Sequence, residues 1–380
     1  MNYYCLSAEL MACLMIQENR QTSAPSGLPY LPGSSLRGSV AAHYLRTAGT
    51  PQDAIFREMF INQPIFFPDM LPAMRPDTIS YSLPATACSC KRTPGFKTKN
   101  GHGVGDVLAD LAAADFDGRP ISNTCDICQQ DMKPFHGFWN GDPIAPEKTE
   151  PTLVYQRHTG IDRHTGTVAP SIFYITQGIA DNRIGDDLVH YPQYLTAGVF
   201  LDGNQLTFLN NQFSTSIFAG ADRTRGMGEM RIELNPATPF DFDLQDWNHS
   251  FRKKLSRLTQ REIPAGLYFS IGLASHAIFV DSYLRPSCEF TIGYPEVSVV
   301  TRMIRKQTIR GWQSSWRLPK PEDIAVAMGG VYLFRYEGKD IKGLKTFLEN
   351  LAINGIGLRR PEGFGRIQVC NPLHIQEDII

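Results

Sequence analysis

Residues 220–229 read GADRTRGMGE and residues 357–366 read GLRRPEGFGR, and these two glycine- and arginine-rich segments organise the rest of the chain. Each segment comes late in one half of the sequence and leads into a short strand pattern. Glycine permits positive φ and a close approach of the backbone to a ligand. Exposed backbone N–H groups in such a turn form a concave anion site, and adjacent arginines add bidentate phosphate contacts. These two Gly/Arg turns therefore suit a sugar-phosphate backbone, with little discrimination between bases.

A solvated glycine-rich hairpin is the simpler interpretation of one such turn. Two turns at matching places in two similar halves favour a functional interpretation. Neither turn is a P-loop, because no Gly-Lys-Ser/Thr follows it. A dinucleotide fingerprint is also disfavoured, because each turn leads into a strand pattern and not into a helix.

Around the turns, each half contains apolar strand patterns and a late helix pattern, NQLTFLNNQF in the first half and KGLKTFLENLAING in the second. This order fits a β-α-β-β-α-β plan used twice. We expect an α+β fold of two ferredoxin-like (RRM-like) domains, residues 1–236 and 237–380. The first helix is predicted in SSLRGSVAAHYLRTAG, with Ser34 or Ser35 as its N-cap.

The bulk composition supports a protein with a packed core and a local binding surface. The chain has 380 residues, which predicts two domains, and a formal net charge of −1, so a nucleic-acid surface must be a local patch. No apolar run is long enough to span a membrane. The apolar N-terminus lacks a basic region and contains Glu9, so it predicts a buried strand and not a signal peptide. We expect a cytoplasmic protein.

Residues 53–148 are rich in Pro, Gly and Asp and predict a loop-rich insertion in the first domain. They hold a C-x-C pair, Cys88 and Cys90, and a C-x-x-C pair, Cys125 and Cys128. Four thiolates can close a tetrahedral structural zinc site, which would order a segment with little core of its own. His102 and His136 are alternative ligands. Free thiols remain a second interpretation, whereas redox chemistry is disfavoured because no thioredoxin-like context surrounds the pairs.

Several motifs carry a family resemblance. LPGSSLRG, HTGIDRHTGTV, GADRTRGMGE and GLRRPEGFGR resemble motifs of the RAMP superfamily of CRISPR-associated proteins. GWQSSWRLPKP followed by AMGGVYLF resembles the group-five RAMP subunits. The CSCKR, HGVGDVLADL and CDIC segments of the insertion resemble the Csx-ten family of type III-D effector complexes.

The resemblance implies a non-catalytic subunit that binds the guide RNA (crRNA) near its 5′ handle, in antiviral defence. Its partners would be other RAMP subunits and the polymerase-like large subunit of a type III complex. The residues that would contact RNA are those of the two turns and of the first helix start: Gly220, Arg223, Arg225, Gly226, Gly228, Arg359, Arg360, Gly363, Gly365, Arg366, Ser34, Ser35 and Arg37. Phosphate at a helix N-terminus is favoured by the free N–H groups there.

Alternatives remain open at several residues. His43 in the first helix is the candidate general acid or base if the protein is a RAMP endoribonuclease that processes precursor crRNA. An ordinary helix histidine is the competing interpretation, and a scaffold that contacts only proteins is a third function. Arg310, Trp312 and Arg317 combine cations with aromatics, which suits phosphate contact and base stacking or a solvated strand with core tryptophans. Asp222 is expected to order the arginines of its own turn.

Overall fold

The fold is taken from a computed structural model that describes residues 1–17, 27–47, 49–97, 101–118, 121, 123–125, 127–143, 145–185, 187–313, 316 and 318–376. The chain is a mixed helix-and-sheet protein, as predicted. Its helices are α1 (Gly33–Thr47), α2 (Ala54–Arg57), α3 (Leu108–Asp117), α4 (Gly203–Gln212), α5 (Leu244–Leu258) and α6 (Ile341–Asn354). A π-helix covers Glu58–Asn62, and 3-10 turns cover Arg223–Arg225, Arg360–Glu362 and Pro372–Ile375.

Apart from the hairpin of β9 and β10, the strands outside the two main sheets are short. In residues 1–236 they are β1 (Asn2–Leu10), β2 (Leu71–Ala73), β3 (Ser80–Ser82), β4 (Ala87–Cys90), β5 (Val104–Asp106), β6 (Met132–Pro134), β7 (Phe138–Asn140), β8 (Lys148–Thr149), β9 (Leu153–Ile161), β10 (Val168–Ile179), β11 (Asn182–Ile184), β12 (His190–Pro192), β13 (Tyr194–Leu201), β14 (Ile217–Phe218) and β15 (Glu229–Pro236). In residues 237–380 they are β16 (Leu267–Leu273), β17 (Phe279–Val280), β18 (Pro286–Ser287), β19 (Val297–Met303), β20 (Lys306–Ile309), β21 (Trp312–Gln313), β22 (Leu318–Pro319), β23 (Asp323–Val326), β24 (Val331–Tyr336) and β25 (Ile367–Val369).

Each half of the chain builds one antiparallel sheet, and the two sheets share a strand order. The first sheet runs β14-β15-β1-β13-β2 and the second runs β25-β16-β24-β19. The strands common to the two sheets are β1, β2, β13 and β15 in the first half and β16, β19, β24 and β25 in the second. Numbered in chain order within each half, they lie side by side in the order fourth, first, third, second in both sheets. The central strand of each sheet is therefore the first strand of its half, and the strand after each Gly/Arg turn lies beside it.

The repeat extends to single hydrogen bonds around the turns. Gly228 N–H donates to the carbonyl of Cys13, and Gly365 N–H donates to the carbonyl of His276. Two residues further along the chain, in the segment that follows each first strand, the carbonyls of Met15 and Ile278 accept from the residues that follow Gly220 and Gly357. The two turns are thus held by equivalent backbone contacts.

The halves differ in their helices. In the first half, α1 lies between β1 and β2 in the sequence. In the second half, residues 274–296 are all described and contain the short strands β17 and β18 but no helix. The helix α5 instead precedes the second sheet and buries Trp247, Phe251 and Leu255 against it.

The buried apolar side chains form two large clusters, one under each sheet. The helix α3 belongs to the second cluster although it comes from the insertion, because Leu108, Ala109 and Ala112 are buried there. Asp106, at the end of β5, lies 2.9 Å from His374 Nδ1 near the end of the described chain. The insertion is therefore anchored on the second half of the molecule. No described helix is long and apolar enough to cross a membrane.

The start of α1 differs from the expectation that Ser34 or Ser35 caps it. The carbonyl of Pro32 accepts from both Ser35 N–H and Leu36 N–H, so the helix begins at Gly33, ahead of the serines. Gly33 N–H donates to Asp69 Oδ1 at 2.8 Å. A carboxylate from a distant segment therefore satisfies this terminal donor, which the sequence pattern alone could not indicate.

Candidate nucleic-acid interface and metal centre

The first Gly/Arg turn presents its cations to solvent. Asp222 (φ 56°) and Gly226 (φ 81°) adopt left-handed conformations on either side of the 3-10 turn Arg223–Arg225. The three residues of this turn and Gly226 are exposed. Nothing lies within 4 Å of the position that a Cβ on Gly226 would occupy, so a ligand can approach the backbone there. The turn thus combines open backbone with two accessible guanidinium groups.

Arg225 is held in place without being buried. Its Nη1 lies 3.6 Å from Asp222 Oδ1, and 56% of its side chain remains exposed. A hydrogen bond with Tyr174 and the charge of Asp222 raise the pKa of Arg225. Asp222 therefore orders an arginine of its own turn, in agreement with the expectation from the sequence.

The hairpin of β9 and β10 lies beside this turn. Tyr174 and His158 are directly opposed in the register, and their rings stack with centroids 4.6 Å apart. His158 Nε2 lies 2.9 Å from Thr176 Oγ1, and Gln156 donates to Met227 Sδ at 3.8 Å. One face of the hairpin therefore adjoins the turn. We call Arg223, Arg225, His158 and Tyr174 the first-turn surface.

Sequence reasoning missed Tyr174. The residue is 40% exposed, and it is joined to Arg225 only when β9 and β10 pair in their observed register. Tyr155 and Phe173, on the outer face of the same hairpin, are also exposed. The signal in the sequence is the number of aromatic residues in this hairpin, Tyr155, Phe173 and Tyr174, on both of its faces.

The second Gly/Arg turn holds Arg359 in two ion pairs. Arg359 Nη1 lies 2.6 Å from Asp323 Oδ2, and its Nη2 lies 2.7 Å from Glu362 Oε2. Lys320 Nζ lies 2.8 Å from the same oxygen of Glu362. Burial alone would raise the pKa of Glu362, but hydrogen bonds and charges from Arg359 and Lys320 outweigh it and lower the pKa to about 2. Arg359 is thus fully engaged with protein carboxylates.

The other arginines of the second turn also contact protein groups. Arg360 Nη1 donates to the carbonyl of Asn354, and its guanidinium lies over the ring of Phe66. Arg366 Nη1 donates to the carbonyl of Ile353 at 3.1 Å. Its side chain lines a cavity of about 90 Å³, between the two sheets, that it shares with Asp69 and other residues. Asp69 lies within this interface, and burial raises its pKa to about 7.

The start of α1 packs against the second turn. A Cβ on Gly33 would lie 2.2 Å from the carbonyl oxygen of Phe67 and 2.9 Å from that of Glu362. A Cβ on Gly363 would approach Gly33 Cα within 3.1 Å. A side chain at either position would clash, so both residues must be glycine, and the start of α1 packs against the second turn and not against solvent.

Among the other predicted residues of α1, the side chains of Ser34 and Ser35 are half-buried. Arg37 Nη2 donates to the carbonyl of Phe60 at 2.8 Å, and the guanidinium lies over the same ring. His43 Nε2 lies 3.4 Å from Thr215 Oγ1, and desolvation, together with Arg46, lowers the pKa of His43. Thr215 is the only hydrogen-bond partner of the His43 side chain in the described part of the chain.

The predicted cation–aromatic stretch lies on the ribbon formed by the short strands β20, β21, β22 and β23. Arg310 Nε donates to Glu322 Oε1 at 2.7 Å, and Trp312 is 40% exposed on β21. Arg317 lies outside the described residues. This ribbon therefore offers an exposed aromatic ring next to an arginine that is already paired.

A metal-binding geometry is present in the insertion. The ligand atoms of Cys90, His102, Cys125 and Cys128 all lie within 4.8 Å of one another. Cys90 Sγ lies 3.5 Å from Cys128 Sγ, and Cys125 Sγ lies 3.4 Å from His102 Nδ1. With Zn–S bonds of about 2.3 Å, two sulfurs of a tetrahedral site lie about 3.8 Å apart. The four residues fit a tetrahedral metal ion with three sulfurs and one nitrogen, and we call them the Cys3His cluster.

The fourth ligand differs from the prediction of Cys88. Cys88 and Cys90 are both in β4, where residues two apart are separated by about 6.7 Å along the strand. The Cys88 side chain is hydrogen-bonded to Asn123 and is not a member of the cluster, whose fourth member is His102. His136, the other alternative ligand, contacts Arg305 instead, with 3.0 Å between Nε2 and Nη1.

Comparisons with known proteins give only remote likenesses. No family model and no curated protein matches the chain. A chain of the type III-B Cmr-beta bound to cognate target RNA and AMPPnP is 11% identical, with a TM-score of 0.39 over 91% of this chain and 88% of that one. Thermus thermophilus Cas6 is 10% identical, with a TM-score of 0.32 over 97% and 98%. Oligomeric Cmr4 from Pyrococcus furiosus is 11% identical, with a TM-score of 0.24 over 63% and 100%. Likenesses this loose carry no functional argument.

Proposed function

We propose that the protein binds RNA through the first-turn surface and acts as a non-catalytic, crRNA-binding subunit of a type III CRISPR effector complex. The observation that carries the proposal is the exposure of Arg223 and Arg225 on a backbone that a ligand can approach. The motifs shared with the RAMP superfamily support the CRISPR context and the position near the 5′ handle. The shared strand order of the two sheets supports two ferredoxin-like domains, residues 1–236 and 237–380.

The chemistry of the first-turn surface favours contacts with the sugar-phosphate backbone. Two arginines can each bind phosphate oxygens in bidentate geometry, and Tyr174 adds a ring beside them. The stacked pair of Tyr174 and His158 offers a flat aromatic face of the kind on which bases stack. Such a surface would bind RNA with little dependence on the RNA sequence.

The second turn has a different role in this proposal. Its arginines are engaged with Asp323, Glu362 and backbone carbonyls of its own half. The contact with the first half is made by Gly363, which packs against Gly33, and by Arg360, which lies over the ring of Phe66. RNA contacts of Arg359, Arg360 and Arg366 would require these partners to be given up. We therefore assign the main RNA contact to the first turn. Partners other than RNA would be the neighbouring RAMP subunits and the large subunit of the complex.

A role without catalysis is favoured by the surroundings of His43. General acid–base catalysis of RNA cleavage needs groups positioned within hydrogen-bond reach of the reacting hydroxyl and the leaving oxygen. His43 contacts the hydroxyl of the exposed Thr215, and the histidine of the first-turn surface, His158, is held by Thr176 and stacked on Tyr174. The proposal therefore assigns binding and not cleavage to this chain.

The proposal is tested by the double variant Arg223→Ala plus Arg225→Ala. RNA affinity should fall about tenfold at low salt, and the slope of log K against log salt should decrease by about 1.4, because each lost phosphate contact removes about 0.7 on single strands. Fluorescence anisotropy with a labelled single-stranded RNA across a salt series measures both quantities. Far-UV circular dichroism checks that the fold is retained.

A matched control removes two exposed arginines elsewhere, Arg75→Ala plus Arg285→Ala, whose side chains are 73% and 71% exposed. This variant should bind RNA as the wild type does. If the first-turn variant and the control have the same affinity and the same salt slope, the first turn is not the RNA contact.

We further propose that the Cys3His cluster holds a structural zinc ion. Zinc favours four-coordinate sites of thiolates and imidazole, and a cluster closed by four protein ligands leaves no position for substrate. The ion would cross-link the strand β4 to the loops that carry His102, Cys125 and Cys128. Elemental analysis of protein prepared without chelator should find about one zinc per chain. Less than half an equivalent, with unchanged thermal stability after chelation, would contradict this assignment.

A further inference from the structure

The loop that follows Cys90 carries a group of cations that neither Gly/Arg turn accounts for. Lys91, Arg92 and Lys97 are exposed in the segment that leads from β4 towards His102. Lys133, on the neighbouring strand β6, is exposed as well. We call these four residues the knuckle cations. None of their side chains has an ion-pair partner among the residues that the structure describes.

The Cys3His cluster fixes the shape of this loop. Cys90 Sγ accepts hydrogen bonds from the backbone N–H groups of Arg92 and Thr93. Ser89 Oγ accepts from Gly95 N–H at 3.0 Å, which folds the loop back over β4. The backbone donors therefore point towards the cluster, and the side chains of Lys91 and Arg92 point outward.

Lys133 lies on the same side of the small sheet as the folded loop. It is directly opposite Ser89 in the pairing of β4 and β6, and directly opposed residues in antiparallel strands share a face. Lys133 and the part of the loop that Ser89 holds thus lie on the same face of β4. Asp131, which is exposed just before β6, is the acidic residue of the adjoining segment, so the balance there is positive.

The composition of this surface suits phosphate better than a protein partner. Protein interface centres are enriched in aromatic residues and depleted in lysine. Here three of the four residues are lysines, and the nearby Phe96 packs its edge against Phe135 with ring centroids 5.5 Å apart. Exposed cations of this kind match the phosphate backbone of a nucleic acid.

We propose that the knuckle cations form a second RNA-phosphate contact whose geometry is set by the metal centre through Cys90. This inference rests on the proposed RNA-binding function and adds a separate site to it. The metal ion itself would not contact RNA. Its effect would be transmitted through the hydrogen bonds from the Arg92 and Thr93 backbone to the Cys90 sulfur.

The test uses the full-length, zinc-loaded protein and a labelled single-stranded RNA. The triple variant Lys91→Gln, Arg92→Gln and Lys97→Gln should lower the salt slope by about 2 and weaken binding at least tenfold at low salt, because three phosphate contacts are removed. The matched control is Lys339→Gln, Lys342→Gln and Arg261→Gln, which removes the same charge from other exposed positions. The control should retain the affinity and the slope of the wild type.

Removal of the metal provides a second readout that does not depend on RNA. Chelation should accelerate amide hydrogen exchange at Arg92 and Thr93, because their acceptor loses its fixed position. It should also move the RNA affinity of the wild type towards that of the triple variant. Unchanged exchange at these amides after metal loss would overturn the link between the metal and the loop.

The outcomes separate this inference from the proposed function. If the Arg223/Arg225 variant loses affinity and the knuckle variant does not, only the second contact is wrong. If the knuckle variant loses affinity and the Arg223/Arg225 variant does not, the knuckle contact stands and the first turn fails. Equal RNA affinity, combined with loss of binding to poly-glutamate, would assign the loop to an acidic protein partner and overturn the proposal.

Discussion

The two Gly/Arg turns share a backbone and differ in what their arginines do. Left-handed residues occur at Gly220, Asp222, Gly226 and Gly228 in the first turn, and at Gly357, Arg359, Gly363 and Gly365 in the second, with the same spacing. In the first turn the arginines are exposed, whereas in the second Arg359 is enclosed by two carboxylates. A glycine pattern therefore predicts the backbone conformation of the turn. Neighbouring carboxylates determine whether the arginines of that turn are exposed or engaged in ion pairs.

The difference follows from what each turn packs against. The first turn lies beside the hairpin of β9 and β10, which offers Tyr174 and leaves the guanidinium groups open. The second turn lies against the start of α1 and near Lys320 and Asp323. Equivalent backbones thus present exposed arginines in one half and an internal contact in the other.

The largest contrast is expected for loss of one arginine from each turn. Arg359→Ala should lower the free energy of unfolding by about 3–5 kcal/mol, because Asp323 and Glu362 would remain partly buried without their partner. Arg223→Ala should change it by less than about 0.5 kcal/mol, because exposed side chains contribute little. Urea denaturation of both variants measures the difference. Equal losses would show that the second turn is no more structural than the first.

A smaller effect, and an equal one, is expected for the last glycine of each turn. A Cβ would lie 1.9 Å from the carbonyl oxygen of Ala219 in Gly228→Ala and 1.7 Å from that of Ile356 in Gly365→Ala. Both glycines also have φ above 70°. Each variant should lose about 3 kcal/mol of stability from clash and backbone strain. Thermal unfolding of the two variants measures these losses, and Gly226→Ala is the control at a position where a Cβ would meet no neighbouring atom. Equal losses at Gly228 and Gly365 would show that the two turns share a backbone conformation although their side chains differ. A loss in only one of them would contradict the equivalence.

The smallest of the three effects concerns pH. The pKa of Glu362 is lowered to about 2 from an ordinary value of 4.5, so the group stabilises the folded state above pH 4.5 and this contribution is lost as the pH falls towards 2. For a side chain that is 22% exposed, the loss should be about 2 kcal/mol. Glu362→Gln should flatten this part of the stability profile, whereas Asp222→Asn in the exposed first turn should keep the wild-type profile. Parallel profiles of Glu362→Gln and the wild type would count against the prediction.

Much of the backbone was predictable from the sequence because it depends on local signals. Glycine spacing, the apolar strand patterns and the periodic segments of α1, α4 and α6 indicate the elements directly. The partners of a side chain depend instead on segments far away in the chain. Asp323 is 36 residues from Arg359, and Asp69 is 36 residues from Gly33. No local pattern contains these contacts, which is why Arg359 and the cap of α1 could not be assigned from sequence.

In the metal centre, too, part of the cluster follows from local sequence and part depends on the path of the chain. The C-x-x-C spacing predicts two members of the cluster, because a short loop brings Cys125 and Cys128 together. Of the C-x-C pair only Cys90 is in the cluster, and Cys88 is hydrogen-bonded to Asn123 instead. His102 enters the cluster through the loop between β4 and β5, whose path no spacing rule gives.

The glycine-to-glycine contact between Gly33 and Gly363 has a consequence for how the molecule would meet a flexible polymer. Two halves joined by a loose linker would each have to be oriented anew in every encounter, at an entropic cost. Here, two facing residues without side chains allow main chains from opposite halves to touch. Hinge motion at this point would open a gap that no side chain could fill. Under the proposed function, this contact would help to fix the two halves before RNA binds, so less entropy would be lost on binding.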